Sequence, residues 1–268
     1  MKLVVKIGGQ AAEETQGRRK LAQQMAEIRR SGHEIVVVHG GGKTLTQTLA
    51  RLGIPTEFHQ GLRVTDAATR DVALMVLAGL LNKQWVAELE ALGQPALGLC
   101  GGDAGLVRAR KLAPLSNGRT KDLGFVGRPH KVNPAILEVA FREGLIPVVA
   151  SLAPDARGEF LNINADDLAA ALAVALKADR LLFLTESGGV WDAERRHLPL
   201  VRSGEISSLI QRGIVREGMI PKLLSCARTL RREVGEIDIL SGAEPNALLA
   251  AIAGGNHPGT RIVKSAGA

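Results

Sequence analysis

Two lysines in glycine-bearing segments lie near opposite ends of this 268-residue chain: Lys6 in VVKIGG and Lys222 in GMIPK. Between them lie VVVHGGG at 36–42, GLRVTD at 61–66 and NINAD at 162–166. Ammonium groups and the backbone N–H groups of glycine loops can together bind and neutralise a phosphate chain. The set therefore predicts a site that holds several negative charges at once, which is the requirement of phosphoryl transfer.

Both glycine loops follow apolar runs that have the composition of strands. Gly8 and Gly9 come directly after Ile7, and residues 40–42 follow VVVH. Ligands of open α/β sheets bind beyond the carboxyl ends of strands, where a helix N-terminus also favours anions. A tight turn is the alternative explanation of each loop. His39 is interpreted as a packing or hydrogen-bonding residue without an acid–base role.

The two middle segments carry side chains suited to an acidic substrate. Arg63 lies between apolar neighbours, and its planar guanidinium can form paired hydrogen bonds with a carboxylate. A salt bridge between helices is the alternative. In NINAD, Asn162 and Asn164 face the same way if the segment is extended. Asp166 either caps the following helix or orients the two lysines.

Two segments of the C-terminal third indicate a second part of the same site. LTESGGVWD at 184–192 follows a strand-like run, and its glycines suggest a strand-end loop close to a ligand. GIVREGMIPK at 213–222 places Lys222 at the start of a predicted helix. A cation opposes the helix dipole there, so an anion is expected nearby. A merely exposed lysine is the alternative.

Short β-rich apolar runs alternate along the chain with longer amphipathic ones. Runs of nearly continuous Val, Ile and Leu are typical of strands buried on both faces of a parallel sheet. The predicted strands are 2–7, 34–38, 95–99, 146–150, 180–184, 236–240 and 260–264. The predicted helices are 18–31, 43–52, 67–92, 133–143, 165–178, 205–212, 219–233 and 244–254.

This alternation predicts an α/β protein, a three-layer αβα sandwich with a mainly parallel central sheet and right-handed crossovers. The segment between 107 and 128 breaks the alternation with several turn residues and predicts a hairpin or flap. Thr65 and Asp66 are the expected caps of the long helix. A lobe boundary is expected near 175–180, which divides the chain into lobes 1–178 and 179–268.

Composition limits the class of protein. The chain is 46% hydrophobic and 23% charged, with a net charge of +7, which suits anionic small molecules, nucleic acid or an acidic partner protein. Few aromatic residues argue against stacking on single-stranded nucleic acid. Two distant cysteines predict a reducing cytosol. The N-terminus opens directly on a strand, so no export signal is expected, and an apolar run of membrane-spanning length is lacking.

The motifs taken in order resemble the amino acid kinase family over essentially the whole chain. They are KIGG, HGGG, GLRVTD, NK at 82–83, VN at 132–133, NINAD, LTESGGV, GMIPK and PGTRIV. Within the family the chain is most similar to the branch that phosphorylates the side-chain carboxylate of N-acetyl-L-glutamate in arginine biosynthesis. The resemblance implies the amino acid kinase fold, with an N-terminal lobe for the acylated amino acid and dimerisation and a C-terminal lobe for ATP. Glu186 and Trp191 depart from the usual family residues.

The resemblance also implies a role for each matching position. The catalytic residues would be Lys6 and Lys222, which stabilise the transferring phosphoryl group, and Asp166, which orients them. The phosphate-binding residues would be Gly8, Gly9 and Gly41, and the substrate-binding residues Gly41, Gly42, Arg63 and Asn162. The nucleotide-binding residues would be Thr185, Glu186, Ser187, Gly188, Gly189, Val190, Ile214, Val215 and Arg216. ATP is the implied co-substrate, with Mg²⁺ held mainly by its phosphates and with no protein metal ligands.

Partners and rival functions also follow from the sequence. Because hexameric members of the family carry an extra N-terminal helix that this sequence does not show, the resemblance implies a homodimer. A cytoplasmic protein that binds neither nucleic acid nor membrane is expected, and a PII-type regulator is a further possible partner. The basic stretch at 108–131 motivates one rival, a kinase for an aminoadipate or glutamate derivative attached to an acidic carrier protein. A second rival is a non-catalytic nucleotide- or nucleic-acid-binding regulator. A dinucleotide-dependent dehydrogenase is disfavoured, because no G-x-G-x-x-G follows the first strand.

Overall fold

The structure is a computed structural model in which the chain forms two compact units. One unit comprises Met1–Val37 and Ala169–Ala268, and the other comprises Val38–Leu168. The structure describes residues 1–8, 14–112, 115–116, 119–192, 194, 196–215, 219–254 and 258–265.

The described strands and helices follow the alternation expected from the sequence. The strands are β1 (Lys2–Ile7), β2 (Glu34–His39), β3 (Phe58–His59), β4 (Leu62–Arg63), β5 (Ala96–Cys100), β6 (Val107–Lys111), β7 (Leu115–Ser116), β8 (Arg119–Thr120), β9 (Val126–Val132), β10 (Ile146–Ala150), β11 (Leu152–Pro154), β12 (Phe160–Ile163), β13 (Arg180–Thr185), β14 (Val190–Trp191), β15 (His197–Leu198), β16 (Leu200–Arg202), β17 (Glu236–Ser241) and β18 (Thr260–Val263). The helices are α1 (Thr15–Arg30), α2 (Gly42–Arg51), α3 (Ala67–Glu90), α4 (Ala135–Arg142), α5 (Ala165–Leu176), α6 (Ile206–Gln211), α7 (Met219–Leu230) and α8 (Ala247–Ala253).

The first unit is built on a mainly parallel sheet. Its strands lie in the order β16–β18–β17–β13–β1, and β18 runs antiparallel to β17. Strand β1 pairs in parallel with β13, from Leu3 opposite Arg180 to Ile7 opposite Leu184. Most residues of β1, β13 and β17 are buried, which explains why these strands have continuous apolar sequences rather than alternating ones.

The second unit combines a parallel strand pair with a smaller mixed sheet. Strands β5 and β10 pair in parallel, and every residue of β10 is buried. The smaller sheet has the order β11–β12–β9–β6. Its antiparallel β6–β9 pair, with the short β7–β8 hairpin between them, forms the flap predicted for 107–128. The predicted α/β class with a mainly parallel sheet is confirmed.

Helix α3 begins at a side-chain cap and changes pitch midway. Asp66 accepts a hydrogen bond from the backbone N–H of Thr69 at 2.7 Å, so one of the two predicted caps is observed. The helix is α-helical over Ala67–Ala73, π-helical over Leu74–Leu81 and α-helical again over Asn82–Glu90. A π-helical stretch adds a residue to the turn, so it shifts which side chains face inward.

The Asp66 cap gives a prediction about stability. We expect Asp66→Ala to lower the free energy of unfolding by about 1 kcal/mol at neutral pH, because a helix N–H loses its acceptor. The hydrogen bond from Thr69 lowers the pKa of Asp66. The contribution is therefore present above the unfolded pKa of about 3.9 and is lost as the pH falls through the folded pKa. Urea unfolding at several pH values measures it.

Asp66→Asn is the matched control, since an asparagine caps without titrating. It should keep most of the stability at neutral pH. A loss in Asp66→Asn as large as that in Asp66→Ala would contradict the cap.

Helix α3 is, among the described residues, the one helix long and apolar enough to span a membrane by length and composition. A core helix of a globular protein passes the same test, so a single such helix is weak evidence. In the second unit its buried Val76, Leu77 and Leu81 pack with Leu45 and Leu49 of α2 in one hydrophobic cluster.

A buried ionic cluster ties three strands and a helix of the first unit together. Asp238 on β17 is fully buried, and its carboxylate lies 3.0 Å from the Nε of Arg261 and 3.7 Å from Arg180. Glu236 lies 3.4 Å from both arginines. Each arginine also donates to the carbonyl of Ala251 in α8. The cluster therefore joins β13, β17 and β18 to α8.

Candidate active site

Lys6 lies at the carboxyl end of β1 with its ammonium group next to Gly8. A Cβ atom at Gly8 would overlap the Nζ of Lys6, so a side chain there would displace the ammonium group from this position. The N–H of Gly8 donates to the carbonyl of Leu184 at 3.1 Å and extends the β1–β13 pairing. The N–H of Gly8 is thus engaged within the sheet, and the contribution of Gly8 to the site is the space that it leaves for Lys6. Gly9 lies outside the described residues.

Lys222 lies in the first turn of α7, and its Nζ is 4.8 Å from the centre of the Phe183 ring. Phe183 on β13 is the register partner of Lys6 on β1. Register partners of neighbouring strands present their side chains to the same face of a sheet. The ammonium groups of Lys6 and Lys222 therefore lie on the same face of the β1–β13 pair, although the lysines are far apart in sequence.

Phe183 is 1% exposed, so its ring is an apolar support beneath the ammonium group of Lys222. The negative face of an aromatic ring attracts a cation, which offsets part of the cost of removing that cation from water. Phe183 was not among the predicted site residues. In the sequence it is one apolar residue in the strand RLLFL, and no local pattern distinguishes it.

The second unit contains a cavity of about 200 Å³. Glycine backbone, apolar side chains and a few polar groups form its wall, as is usual for small-molecule sites. Its lining residues are Gly40, Gly41, Gly42, Leu45, Phe58, Gly61, Leu62, Arg63, Leu77, Val126, Ser151, Asn162, Ile163, Asn164 and Ala165. The predicted substrate-binding residues Gly41, Gly42, Arg63 and Asn162 are all in this set.

Arg63 is the cationic group of the cavity and is 7% exposed. Its guanidinium donates to the carbonyl of Gly42 at 3.2 Å and to the hydroxyls of Thr46 at 2.7 Å and Thr56 at 3.3 Å. It also lies 4.7 Å from the centre of the Phe58 ring. These contacts fix its orientation. The threonines and the phenylalanine were not predicted, because their sequence neighbourhoods carry no signal.

The charge of Arg63 is poorly compensated. Among the residues that the structure describes, its hydrogen bonds go to neutral oxygens and it forms no salt bridge. Burial lowers the pKa of Arg63. The guanidinium still keeps its proton at neutral pH. A buried, oriented cation without an acidic partner favours a carboxylate ligand.

The NINAD segment forms the end of β12 and the start of α5. Asn162 is half-buried, and its side-chain amide lies 3.4 Å from the hydroxyl of Thr65. The side chain of Asn164 accepts hydrogen bonds from the N–H groups of Asp166 at 2.8 Å and Asp167 at 3.4 Å. Asn164 therefore caps α5. The alternative explanation of Asp166 as the cap is not needed, and its carboxylate lies in the first turn, where the helix dipole favours a negative charge.

The second glycine loop packs closely against α3. Gly41 has φ +152°, and a Cβ atom there would overlap the side chains of Leu81 and Leu77. A side chain at this position is therefore excluded both by conformation and by space. The contact holds the loop at the wall of the cavity.

The predicted nucleotide-binding loop is a closed turn between β13 and β14. The hydroxyl of Thr185 accepts from the N–H of Gly188 at 3.2 Å, and Gly188 has φ +68°. The N–H of Val190 donates to the hydroxyl of Thr260 at 2.7 Å, and a Cβ atom at Gly189 would overlap the ring of His197. Glu186 and Ser187 are exposed at the tip of the loop.

The remaining predicted nucleotide residues follow α6. The N–H groups of Ile214 and Val215 donate to the carbonyl of Leu209, and Val215 is buried. Arg216 lies outside the described residues. The predicted site residues thus fall into two groups: Lys6, Gly8, Lys222 and the nucleotide loops in the first unit, and Gly41, Gly42, Arg63, Asn162 and Asp166 in the second. Among the described residues, no group of three or more His, Cys, Asp or Glu side chains is arranged to hold a metal ion.

Comparison with known proteins identifies one family by sequence profile and similar proteins by sequence and by structure. The sequence profile of the Amino acid kinase family matches residues 1–241. Acetylglutamate kinase of Koribacter versatilis is 50% identical over 248 residues, which cover 92% of this chain and 93% of that protein. Acetylglutamate kinase of Acidobacterium capsulatum is 44% identical over 240 residues, 90% of each chain. The solved structure of N-acetylglutamate synthase from Neisseria gonorrhoeae, complexed with coenzyme A and N-acetyl-glutamate, aligns with a TM-score of 0.87 and 26% identity, covering 99% of this chain and 60% of that one.

Parallel strands that end in glycine loops, with two lysines on one face of the sheet, provide the positioned cations and N–H groups that an α/β phosphotransferase requires. The matching profile covers most of the chain, and the two relatives cover nine-tenths of it or more. The chain belongs to the amino acid kinase family. The amino acid kinase fold predicted from the motifs is confirmed.

Proposed function

We propose that this protein transfers the γ-phosphoryl group of ATP to the side-chain carboxylate of N-acetyl-L-glutamate, which forms an acyl phosphate in arginine biosynthesis. The observation that carries the proposal is the pair of ammonium groups, Lys6 and Lys222, on one face of the β1–β13 pair. Arg63, buried in a cavity of the second unit, supplies the complementary carboxylate site. The relatives that are 44 and 50% identical are acetylglutamate kinases.

The chemistry requires charge stabilisation rather than a base. A glutamate side-chain carboxylate has a reference pKa of about 4.3, so it is ionised at neutral pH. One of its oxygens forms the new bond to the γ-phosphorus, and the bond to the β–γ bridging oxygen breaks with its electrons on ADP. No proton is transferred. The barrier is the approach of an anion to a polyanion, which positioned cations and N–H groups lower.

Each described site residue has a role in this mechanism. Lys6 and Lys222 neutralise the negative charge of the migrating phosphoryl group, and Asp166 orients these lysines. Gly8 leaves space for Lys6, and the N–H of Gly41 binds the phosphoryl oxygens. The acylated amino acid is held by Gly41, Gly42, Arg63 and Asn162. ATP, bound with Mg²⁺ on its phosphates, is held by Thr185, Glu186, Ser187, Gly188, Gly189, Val190, Ile214 and Val215.

The direct test is an assay that traps the acyl phosphate with hydroxylamine, in the presence of ATP, Mg²⁺ and a panel of acylated amino acids. We expect a hydroxamate with N-acetyl-L-glutamate and much less with glutamate or aspartate. ATP hydrolysis without hydroxamate would overturn the proposal. Salt-dependent DNA binding without ATP turnover would instead support a non-catalytic regulator.

Arg63 gives a prediction about substrate binding. We expect Arg63→Lys to raise the KM for N-acetyl-L-glutamate by about 10- to 100-fold, because lysine cannot form the paired hydrogen bonds of a guanidinium. The KM for ATP should change little. Steady-state kinetics with each substrate varied in turn measure both values.

Arg51→Lys, at the exposed end of α2, is the control and should leave both KM values unchanged. Equal increases in the two KM values of Arg63→Lys would contradict the assignment of Arg63 to the carboxylate.

A cationic sheet face favours a second candidate substrate. On the β6–β9 pair, Arg110 lies opposite Arg128, and Arg108 lies opposite Lys131. All four side chains are exposed, and like charges directly opposite each other are destabilising. An acidic carrier protein bearing an aminoadipate or glutamate derivative would neutralise these positive charges. Formation of an acyl phosphate on a carrier-bound substrate, but not on free N-acetyl-L-glutamate, would support this candidate.

We propose a homodimer in the cytoplasm. Met75 and Leu80 of α3 are 67 and 50% exposed, and a dimer interface at α3 would remove these apolar side chains from water. Light scattering coupled to size exclusion gives the mass directly. The two cysteines are buried and form no disulfide with each other, and burial raises the pKa of Cys100 to about 11, so its thiol stays protonated at neutral pH. Binding of a PII-type regulator remains a hypothesis.

A further inference from the structure

His39 is the last residue of β2 and directly precedes the second glycine loop. It is 2% exposed. Its Nδ1 lies 2.8 Å from the carbonyl oxygen of Gly40, and its Nε2 lies 3.2 Å from the side-chain amide nitrogen of Asn82. Both ring nitrogens are therefore engaged, one with the loop and one with helix α3.

These partners fix the tautomer of His39. A carbonyl oxygen can only accept, so Nδ1 carries the proton and donates to Gly40. The amide nitrogen of Asn82 can only donate, so Nε2 accepts. Burial lowers the pKa of His39 to about 4, so the ring stays neutral at physiological pH and keeps this arrangement.

Asn82 is itself held firmly. It is 1% exposed, and its amide nitrogen also lies 2.8 Å from the carbonyl of Val148 and 3.3 Å from that of Leu99. Those carbonyls belong to β10 and β5. A Cβ atom at Gly98 would overlap the side-chain oxygen of Asn82, so glycine leaves the space that Asn82 occupies. The two hydrogens of this amide are shared among three acceptors, and Asn82 thus links His39 to both strands.

The hydrogen bond from His39 to the carbonyl of Gly40 also fixes the direction of the next N–H group in the loop. In a planar trans peptide, the carbonyl and the N–H of the next residue point in opposite directions. Because His39 binds the carbonyl of Gly40, the N–H of Gly41 points away from His39. Gly41 lines the cavity, and the side chains of Leu77 and Leu81 fill the space that a Cβ atom at Gly41 would need.

The other two carbonyl groups of the loop also have donors. That of Gly41 accepts from the N–H of Leu45 at 2.9 Å, as the first turn of α2 requires. That of Gly42 accepts from Arg63 at 3.2 Å and from the hydroxyl of Thr46 at 2.8 Å. With each carbonyl oxygen engaged by the protein, an anion that approaches the loop meets N–H groups rather than oxygen lone pairs.

We propose that His39, itself oriented by Asn82, is a positioning residue, which holds the Gly40–Gly41 peptide so that its N–H is directed at the phosphoryl group in transfer. Neither His39 nor Asn82 is among the residues that line the cavity. The proposal rests on the proposed phosphoryl transfer, because it assigns the N–H of Gly41 to the charge that develops there. An N–H fixed before the reaction stabilises this charge without reorganising.

The two amide substitutions of His39 separate its two hydrogen bonds. In His39→Asn, the amide nitrogen can occupy the place of Nδ1 and keep the bond to Gly40, while the bond to Asn82 is lost. In His39→Gln, the amide reaches the place of Nε2 and keeps Asn82, while the bond to Gly40 is lost. Both variants exchange a buried imidazole for a buried amide, so each is a control for the other.

We expect His39→Gln to lower kcat by about 10²-fold, the lower end of what losing one charge-stabilising donor costs. His39→Asn should stay within about tenfold of wild type, because it retains the donor to Gly40. The KM values should change little in either variant, since the contact acts on the transition state. Equal kcat values in the two variants, or a kcat loss that follows their melting temperatures, would overturn the proposal.

A spectrum of the wild-type protein tests the same bonds without any variant. A long-range ¹H–¹⁵N spectrum of the histidine rings should show His39 protonated at Nδ1 and unprotonated at Nε2. A ring protonated at Nε2 would overturn the proposal. If the spectrum is as expected but the wild type forms no acyl phosphate, the hydrogen bonds stand and the proposed function fails, so the two failures are distinguishable.

Discussion

Replacing Lys222 by alanine is expected to lower kcat by at least about 10²–10³-fold, the usual cost of losing a charge-stabilising contact in a transition state. The ammonium group lies over the ring of Phe183, on the same face of the sheet as Lys6. Its removal leaves the negative charge of the migrating phosphoryl group without one of two fixed cations. The trapped acyl-phosphate assay measures kcat at saturating ATP and N-acetyl-L-glutamate.

Lys20→Ala, an exposed lysine of α1, is the control and should retain full activity. Thermal unfolding should show that Lys222→Ala remains folded. The double variant with Lys6→Ala adds a sharper test. If both ammonium groups stabilise one phosphoryl group, the double loss should be smaller than the product of the single losses. Near-normal turnover in Lys222→Ala would refute its role.

Replacing Asp238 by alanine is expected to lower the free energy of unfolding by about 3–5 kcal/mol, the usual cost of removing one partner from a buried ion pair. The carboxylate is fully buried between Arg180 and Arg261. Without it, the two largely buried guanidinium groups lose a fully buried carboxylate partner and keep the more exposed Glu236. Urea unfolding at neutral pH measures the change.

The exposed pair of Lys177 and Glu233 offers the matched control. These side chains are 73 and 71% exposed and lie 3.2 Å apart. Glu233→Ala should change the stability by less than about 1 kcal/mol, because water screens an exposed pair. A similarly small change in Asp238→Ala would show that the cluster contributes little to stability.

The strands of the parallel sheets could be predicted because burial on both faces determines their amino-acid composition. Buried on both faces, they are runs of Val, Ile and Leu, and the predicted ends lie within one residue of the observed ones for 2–7, 146–150, 180–184 and 236–240. The π-helical stretch at Leu74–Leu81 was not predicted. It is apolar all round, so its sequence gives no periodicity that separates one helical pitch from another.

The candidate site was predictable in part. Glycine loops and lysines at strand ends carry a chemical signal, and the structure places Gly41, Gly42, Arg63 and Asn162 in one cavity. The sequence offered Asp166 as a cap of α5, whereas the structure has Asn164 in that role, and both residue types favour helix starts. Phe183, Asn82 and Thr46 act through contacts distant in sequence. No local pattern identifies them, and only the fold brings them to the site.

The discontinuous first unit has a consequence for synthesis on the ribosome. The chain leaves this unit at Val37 and returns at Ala169, and β1 pairs with β13, which is synthesised much later. The β1–β13 pairing can therefore form only after the whole second unit has been synthesised, and such long-range pairings form slowly. The intervening segment, Val38–Leu168, emerges as one continuous stretch with its own core and can fold first. The cavity that contains Arg63 can thus form before the β1–β13 pairing that places Lys6 and Lys222 on one face of the sheet.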